Sequence, residues 1–291
     1  GFAKVGMKAV MIGAVANIVL DPIFIFGLHL DVRGAALATV LSQMCSCFYV
    51  LRFLFGKKVP IRITFHGFDP RLMLQVARVG FSPFVIIALD NVLIISQNMV
   101  IQRLGGPGQG DTILTCAAIV QSFMLIITMP LGGITSGTQT ILGYNYGAKN
   151  ADRVKKTFRI LITVSLSYSI IFWALIQLFP GVFAGIFSSD KELVTFTAGA
   201  LRIYCGMLFM FGIQIACQMT FVAIGNAVCS VIVAVVRKFV LLLPLIYIVP
   251  HFVSNKTNGV YMAEPVADFI AVSFTVIIFL VQFKKALSKL K

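Results

Sequence analysis

A chain of 291 residues that is 59% hydrophobic and only 12% charged carries about half the charge usual in a soluble domain, and its mean hydropathy is +0.97. A formal net charge of +14 would suit a nucleic-acid ligand, but the 24 basic residues lie in short segments between apolar blocks and form no aromatic-rich basic face, which excludes that partner. Paired metal ligands, a nucleophile–base spacing and a phosphate loop are all missing from the sequence, so an enzyme, an organic cofactor and a structural metal are excluded with it.

Eight apolar blocks follow one another at 5–28, 33–55, 79–102, 112–140, 157–180, 192–224, 228–252 and 259–283. Each is long enough for the roughly 20 residues a membrane-spanning helix needs, and the expected fold is an all-α integral membrane protein of about eight transmembrane helices. The blocks at 112–140 and 192–224 exceed that length, which predicts tilt or extension beyond the bilayer.

The first block contains Asn17 and Asp21, four residues apart and so on one helix face. Pro22 has no N–H to donate, which leaves the carbonyl of Ile18 without its usual partner. A carboxylate, a carboxamide oxygen and a free carbonyl on one turn form a donor set for a sodium ion or a bound proton. The alternative reading of the same residues is an Asn–Asp hydrogen bond that stabilises a kink.

After the second block comes the longest basic, polar connection, which includes Pro60, His66, Gly67, Asp69 and Pro70. It is read as a cytoplasmic linker over 57–78, dividing helices within 1–56 from a six-helix region over 79–291. Gly143–Arg159 is read as an ordered loop with an amphipathic stretch.

Charged and polar residues inside the later blocks are the remaining candidates, because an ionisable side chain at membrane depth is costly and has a functional reason by default. Asp90 and Asn91 sit in the middle of the third block, with Gln97 two turns on, and Gln214 and Gln218 share one face of the sixth. The glutamines are expected to bind helices together by hydrogen bonds; Asp90 is expected to serve substrate or proton transfer. In the eighth block Glu264 and Asp268 repeat the four-residue spacing with Pro265 between them. Two such carboxylates either share a proton or are neutralised by Arg237 or Lys238 from the preceding helix. Pro22, Pro244 and Pro265 are expected hinges, with Pro83 and Pro130 as further kinks. The six cysteines, lacking any CxxC pair, are read as small buried thiols.

If both ends lie on one side, nineteen of the 24 basic residues fall on that side, Arg237 and Lys238 counted among them, and five on the other. By the positive-inside rule both ends are expected to be cytoplasmic in a multi-pass cell-membrane protein. The first two blocks also resemble the last two. Asp21-Pro22 followed by Ile23–Gly27 matches Leu243-Pro244 followed by Leu245–Pro250, and Arg33-Gly34-Ala35-Ala36-Leu37-Ala38 matches Asn258-Gly259-Val260-Tyr261-Met262-Ala263. Same-direction copies imply two lobes related about the membrane normal, four further spans before Gly1, and twelve in all.

These residues together resemble the multidrug and toxin extrusion (MATE) family, in its MepA-like branch. The resemblance rests on Asn17–Gly27, Gly34–Thr39, Gln139–Asn150, Gly225-Asn226-Ala227, Arg237–Pro250 and Pro265–Asp268. It implies that 1–56 holds the last two helices of an N-lobe, 57–78 the inter-lobe linker and 79–291 the C-lobe. It also implies a monomeric antiporter that exports small organic cations, cationic and amphipathic, by alternating access, coupled to Na+ or H+. Asn17, Asp21 and Thr39 match the cation site of that N-lobe. Asp90 matches an acidic position of other branches, whereas glutamines stand where those branches have acids in the sixth block. A related flippase of lipid-linked precursors is the alternative.

Overall fold

The computed structural model describes residues 3–56, 69–104, 110–253, 256–288 and 290. The chain divides into two compact units, Gly1–Met73 and Leu74–Lys291, a division that falls within the expected linker. The expected linker residues 57–68 lie outside the described residues.

The first unit is a helical hairpin. Helix α1 (Ala3–Pro22) runs into a π-helical turn, Ile23–Gly27, and α2 (Asp31–Leu54) returns along it. The cause of the wider turn is local. Pro22 removes the N–H that would close on Ile18, and the ladder resumes one residue longer, with the Leu28 N–H on the carbonyl of Ile23 at 2.9 Å. The hairpin closes tightly: a Cβ on Gly34 would lie 2.8 Å from the backbone carbon of Phe24, and the Ser46 hydroxyl donates to the Ala9 carbonyl at 2.8 Å. Cys45 and Cys47 on α2 are exposed, not buried as expected, because α1 covers only one stripe of α2.

The second unit contains α3 (Pro70–Leu104, whose first turn belongs to the first unit), α4 (Gly110–Gly147), α5 (Ala151–Leu178), the short α6 (Pro180–Phe187), α7 (Lys191–Tyr204), α8 (Leu208–Ala223), α9 (Ala227–Val235), α10 (Leu243–Ile248) and α11 (Lys256–Ser288). Helix α8 packs against α4, α5 and α11. Helices α5 and α8 approach closely: a Cβ on Gly212 would clash with the Ser165 carbonyl and lie 2.8 Å from the Ser169 hydroxyl. Aromatic stacking of Phe158, Phe221, Phe279 and Phe283 closes one end of the same bundle.

Several expectations are corrected here. The block at 192–224 is not one continuous helix but α7 and α8, bent by 50° at Cys205–Met207. The break is stabilised from α5, where the Trp173 indole donates to the Gly206 carbonyl at 2.9 Å and the Gln177 amide to the Arg202 carbonyl at 3.0 Å. Gly143–Arg159 is no loop: α4 continues to Gly147, and Asn150 caps α5 by accepting the Arg153 N–H at 3.1 Å. The block at 228–252 is α9 and α10 joined by a π-helical segment, Val236–Leu242, in which the Leu243 N–H reaches the Lys238 carbonyl ahead of Pro244. Gly225 (φ 75) ends α8 in the left-handed conformation that a helix terminus of this kind requires.

Among the described residues, six helices are long and apolar enough to cross a membrane, or seven if the bent α7–α8 pair is one span. The remaining expected span, the third block at 79–102, lies within α3, several of whose side chains are outside the described set.

Candidate functional site

In the first unit, Asn17 and Asp21 meet as their spacing requires: the Asn17 amide donates to the Asp21 carboxylate at 3.3 Å, one turn before the π-helical segment. Both side chains are half-buried. Thr39 is exposed, and its hydroxyl donates back to the Ala35 carbonyl of its own helix at 2.9 Å. Among the described residues, Asp21 therefore has a carboxamide beside it and no cation. An apolar groove lined by Met11, Val15, Val19 and Cys45 runs along this unit and contains none of the candidate side chains.

The second unit holds a denser cluster, built by the π-helical segment. Widening the helix at Val236–Leu242 presents two successive basic side chains to two different neighbours. Arg237 turns to α11, where its Nε donates to Asp268 at 2.7 Å and its terminal nitrogen to Glu264 at 2.9 Å. The guanidinium also lies over the Phe211 ring of α8, 5.4 Å from its centre. Lys238 turns to α3 and pairs with Asp90. Arg237, Lys238, Glu264 and Asp268 are nearly buried, while the Asp90 side chain is 52% exposed.

Of the two readings offered for Glu264 and Asp268, the geometry is that of neutralisation by an intervening arginine. Arg237 and Lys238 are also removed from the count of cytoplasmic basic residues, because they are buried partway along a broken span. Nineteen less two still leaves seventeen against five. The sequence named them as possible partners of Glu264 and Asp268 but did not give Lys238 its place against Asp90. The signal was present, since they are the sole charges in the apolar block 228–252.

The other candidates are dispersed. Asn91 is exposed and donates to the Ile87 carbonyl of its own helix at 2.9 Å. Gln218 is 8% exposed, and Gln214 is 2% exposed with neither amide atom hydrogen-bonded, so helix-to-helix hydrogen bonding is not what Gln214 provides. Pro265 lies inside α11 without ending it, whereas Pro22 and Pro244 adjoin the two π-helical segments. Among the described residues, no three His, Cys, Asp or Glu side chains converge as metal ligands.

A family model described as MatE matches residues 87–248. Multidrug export protein MepA of Staphylococcus haemolyticus is 25% identical over 260 residues, covering 88% of this chain and 56% of the relative. Multidrug and toxin extrusion protein 1 of Mus musculus is 23% identical over 243 residues, covering 82% of this chain and 41% of the relative. Among solved structures, an outward-facing multidrug resistance MATE family transporter of the MOP superfamily superposes with a TM-score of 0.84 at 25% identity, covering 97% of this chain and 63% of the other. An inward-facing structure of such a transporter gives a TM-score of 0.78 at 24% identity, covering 99% of this chain and 66% of the other. The chain thus spans 41–56% of the length of these curated relatives.

Proposed function

Since the chain belongs to the MatE family, we propose that the complete protein is a cation-coupled antiporter that exports small amphipathic organic cations by alternating access. The observation that carries this reading is Asp21, a carboxylate in an apolar helix, held by Asn17 one turn before a proline-linked π-helical segment. Such a residue is costly at membrane depth and is explained by a cation that visits it. Sodium binding or protonation at Asp21 relaxes or bends the helix at Pro22 and lowers affinity for the drug. Asn17 supplies a second oxygen, and Thr39 supplies a third in a conformer where it leaves Ala35. The exporter names of the relatives support the substrate class, and the inward- and outward-facing structures of similar transporters support the alternation.

A flippase for lipid-linked precursors would want free basic groups for a pyrophosphate. The two cations inside the second unit, Arg237 and Lys238, are already held by carboxylates, which weighs against it. The protein is read as a monomer in the cell membrane with both ends of this chain cytoplasmic.

The test is ethidium accumulation in cells that express the full-length protein. Wild type lowers accumulation, and Asp21→Asn abolishes the part that depends on an imposed sodium or proton gradient. Undiminished gradient-driven efflux in Asp21→Asn would remove the assignment.

A further inference from the structure

Among the described residues, the three ion pairs of the second unit are of two kinds. Arg237, Glu264 and Asp268 form a closed group, with side chains 12%, 11% and 8% exposed, and one guanidinium serves both carboxylates. The Lys238–Asp90 pair is open on one side: the lysine side chain is 9% exposed and the aspartate 52%. A lysine anchored in the lobe interior thus holds a carboxylate that faces outward from it.

The chemistry of the two cations differs accordingly. A guanidinium fits two carboxylates through a fixed fork, whereas an ammonium on a four-carbon stem is a compact charge that can swing. The Lys238–Asp90 pair is also the more open of the two kinds, with about half of the aspartate side chain uncovered. The neighbouring acids add a direction for the swing. In the closed group two carboxyl groups, Glu264 and Asp268, share one guanidinium. Lys238 is near enough to Glu264 for their charges to interact. An ammonium released from Asp90 therefore moves toward Glu264. The π-helical segment carries both basic side chains, Arg237 paired to α11 and Lys238 to α3.

We propose that Lys238 is a tethered counter-cation that competes with the transported organic ammonium for Asp90. The substrate nitrogen docks on Asp90 as the Lys238 ammonium moves to Glu264, and the return of Lys238 expels the substrate. Lys238 is a specificity-determining residue in this scheme: it rejects ligands without a cationic centre, which cannot displace it, and keeps affinity low enough for release. The inference rests on the transport reading above.

The experiment measures ethidium binding to the purified full-length protein by fluorescence polarisation, with efflux from loaded vesicles in parallel. Lys238→Met is expected to bind ethidium about tenfold tighter and to release it more slowly, while Lys238→Arg stays near wild type. Asp90→Asn is expected to bind about tenfold more weakly, and Lys238→Met combined with Asp90→Asn no more tightly than Asp90→Asn alone. A purely structural ion pair predicts no gain in affinity from Lys238→Met, and unchanged or weaker binding by that variant in monodisperse form overturns the proposal. If Lys238→Met does not fold, Asp90→Asn decides, since affinity equal to wild type overturns the proposal equally. If wild type itself neither binds nor exports ethidium, the transport reading fails and this inference with it. If wild type exports ethidium and the variants behave as wild type, only the exchange is refuted.

Discussion

Arg237 is the residue whose removal should injure the fold most. It donates at 2.7 Å to Asp268 and at 2.9 Å to Glu264, with all three side chains nearly buried. Hydrogen bonds to charged groups contribute about 1.5–3 kcal/mol each, so two sum to roughly 3–6 kcal/mol. Independently, removing one member of a buried pair costs about 3–5 kcal/mol because its partner is left charged and unpaired. Arg237→Met strands two carboxylates on one face of α11, and Lys238 can relieve only part of that. A loss of about 4 kcal/mol corresponds to roughly 8–16 °C in a region of this size, at about 2–4 °C per kcal/mol. The assay is thermal unfolding of the purified full-length protein in one detergent. The decisive comparison adds Glu264→Gln and Asp268→Asn to Arg237→Met, since neutral side chains of equal shape no longer need the guanidinium. The triple variant should regain most of the lost Tm. A fall of less than about 2 °C in the single variant, or no recovery in the triple, would refute the argument.

Three further substitutions probe packing and buried polarity. A Cβ on Gly259 would lie 2.6 Å from the Pro250 Cα, so Gly259→Val should lower the unfolding temperature by the equivalent of about 1–3 kcal/mol, whereas Gly133→Ala, with nothing within 4 Å of its Cβ, should change it little. Gln214 is buried with both amide atoms unpaired, so Gln214→Leu should raise stability by about 1–3 kcal/mol in the same assay. A fall in Tm instead would show that the amide has a partner, such as water, in the membrane.

The helices were legible in the sequence because an apolar run of 20 residues has few alternatives to spanning a bilayer. The Asn17–Asp21 contact was legible for the same reason, since a spacing of four within one helix fixes it without tertiary information. What could not be read were features set by neighbours. The break at Cys205–Met207 contains no proline; it exists because Trp173 and Gln177 of α5 take carbonyls that the bend releases. The short α6 carries too few residues to form a block of its own. Arg237 and Lys238 were read both as partners of Glu264 and Asp268 and as cytoplasmic basic residues, and only the acidic partners found on α3 and α11 decide for the interior.

The two hairpins compared in the sequence share a mechanical device with opposite electrostatics. In α1–α2 and in α9–α11 alike, a proline adjoins a π-helical segment in the outgoing helix, and a first-turn glycine of the returning helix sits against its end. Gly34 approaches the backbone of Phe24, and Gly259 that of Pro250. Both hairpins therefore contain a helix whose ladder is widened by one residue, a feature frequent at functional sites. The charges beside that widened turn differ. Among the described residues, the first hairpin has Asp21 with a carboxamide beside it and no cation; the second supplies its own cations, Arg237 and Lys238, to acids on other helices. A widened turn next to an uncompensated carboxylate responds to an external cation, whereas one beside internal ion pairs responds only when a ligand disrupts a pair. Under the proposed antiport, that asymmetry divides the work: the coupling ion acts on the first hairpin, and the organic cation acts on the second through the exchangeable Lys238–Asp90 pair.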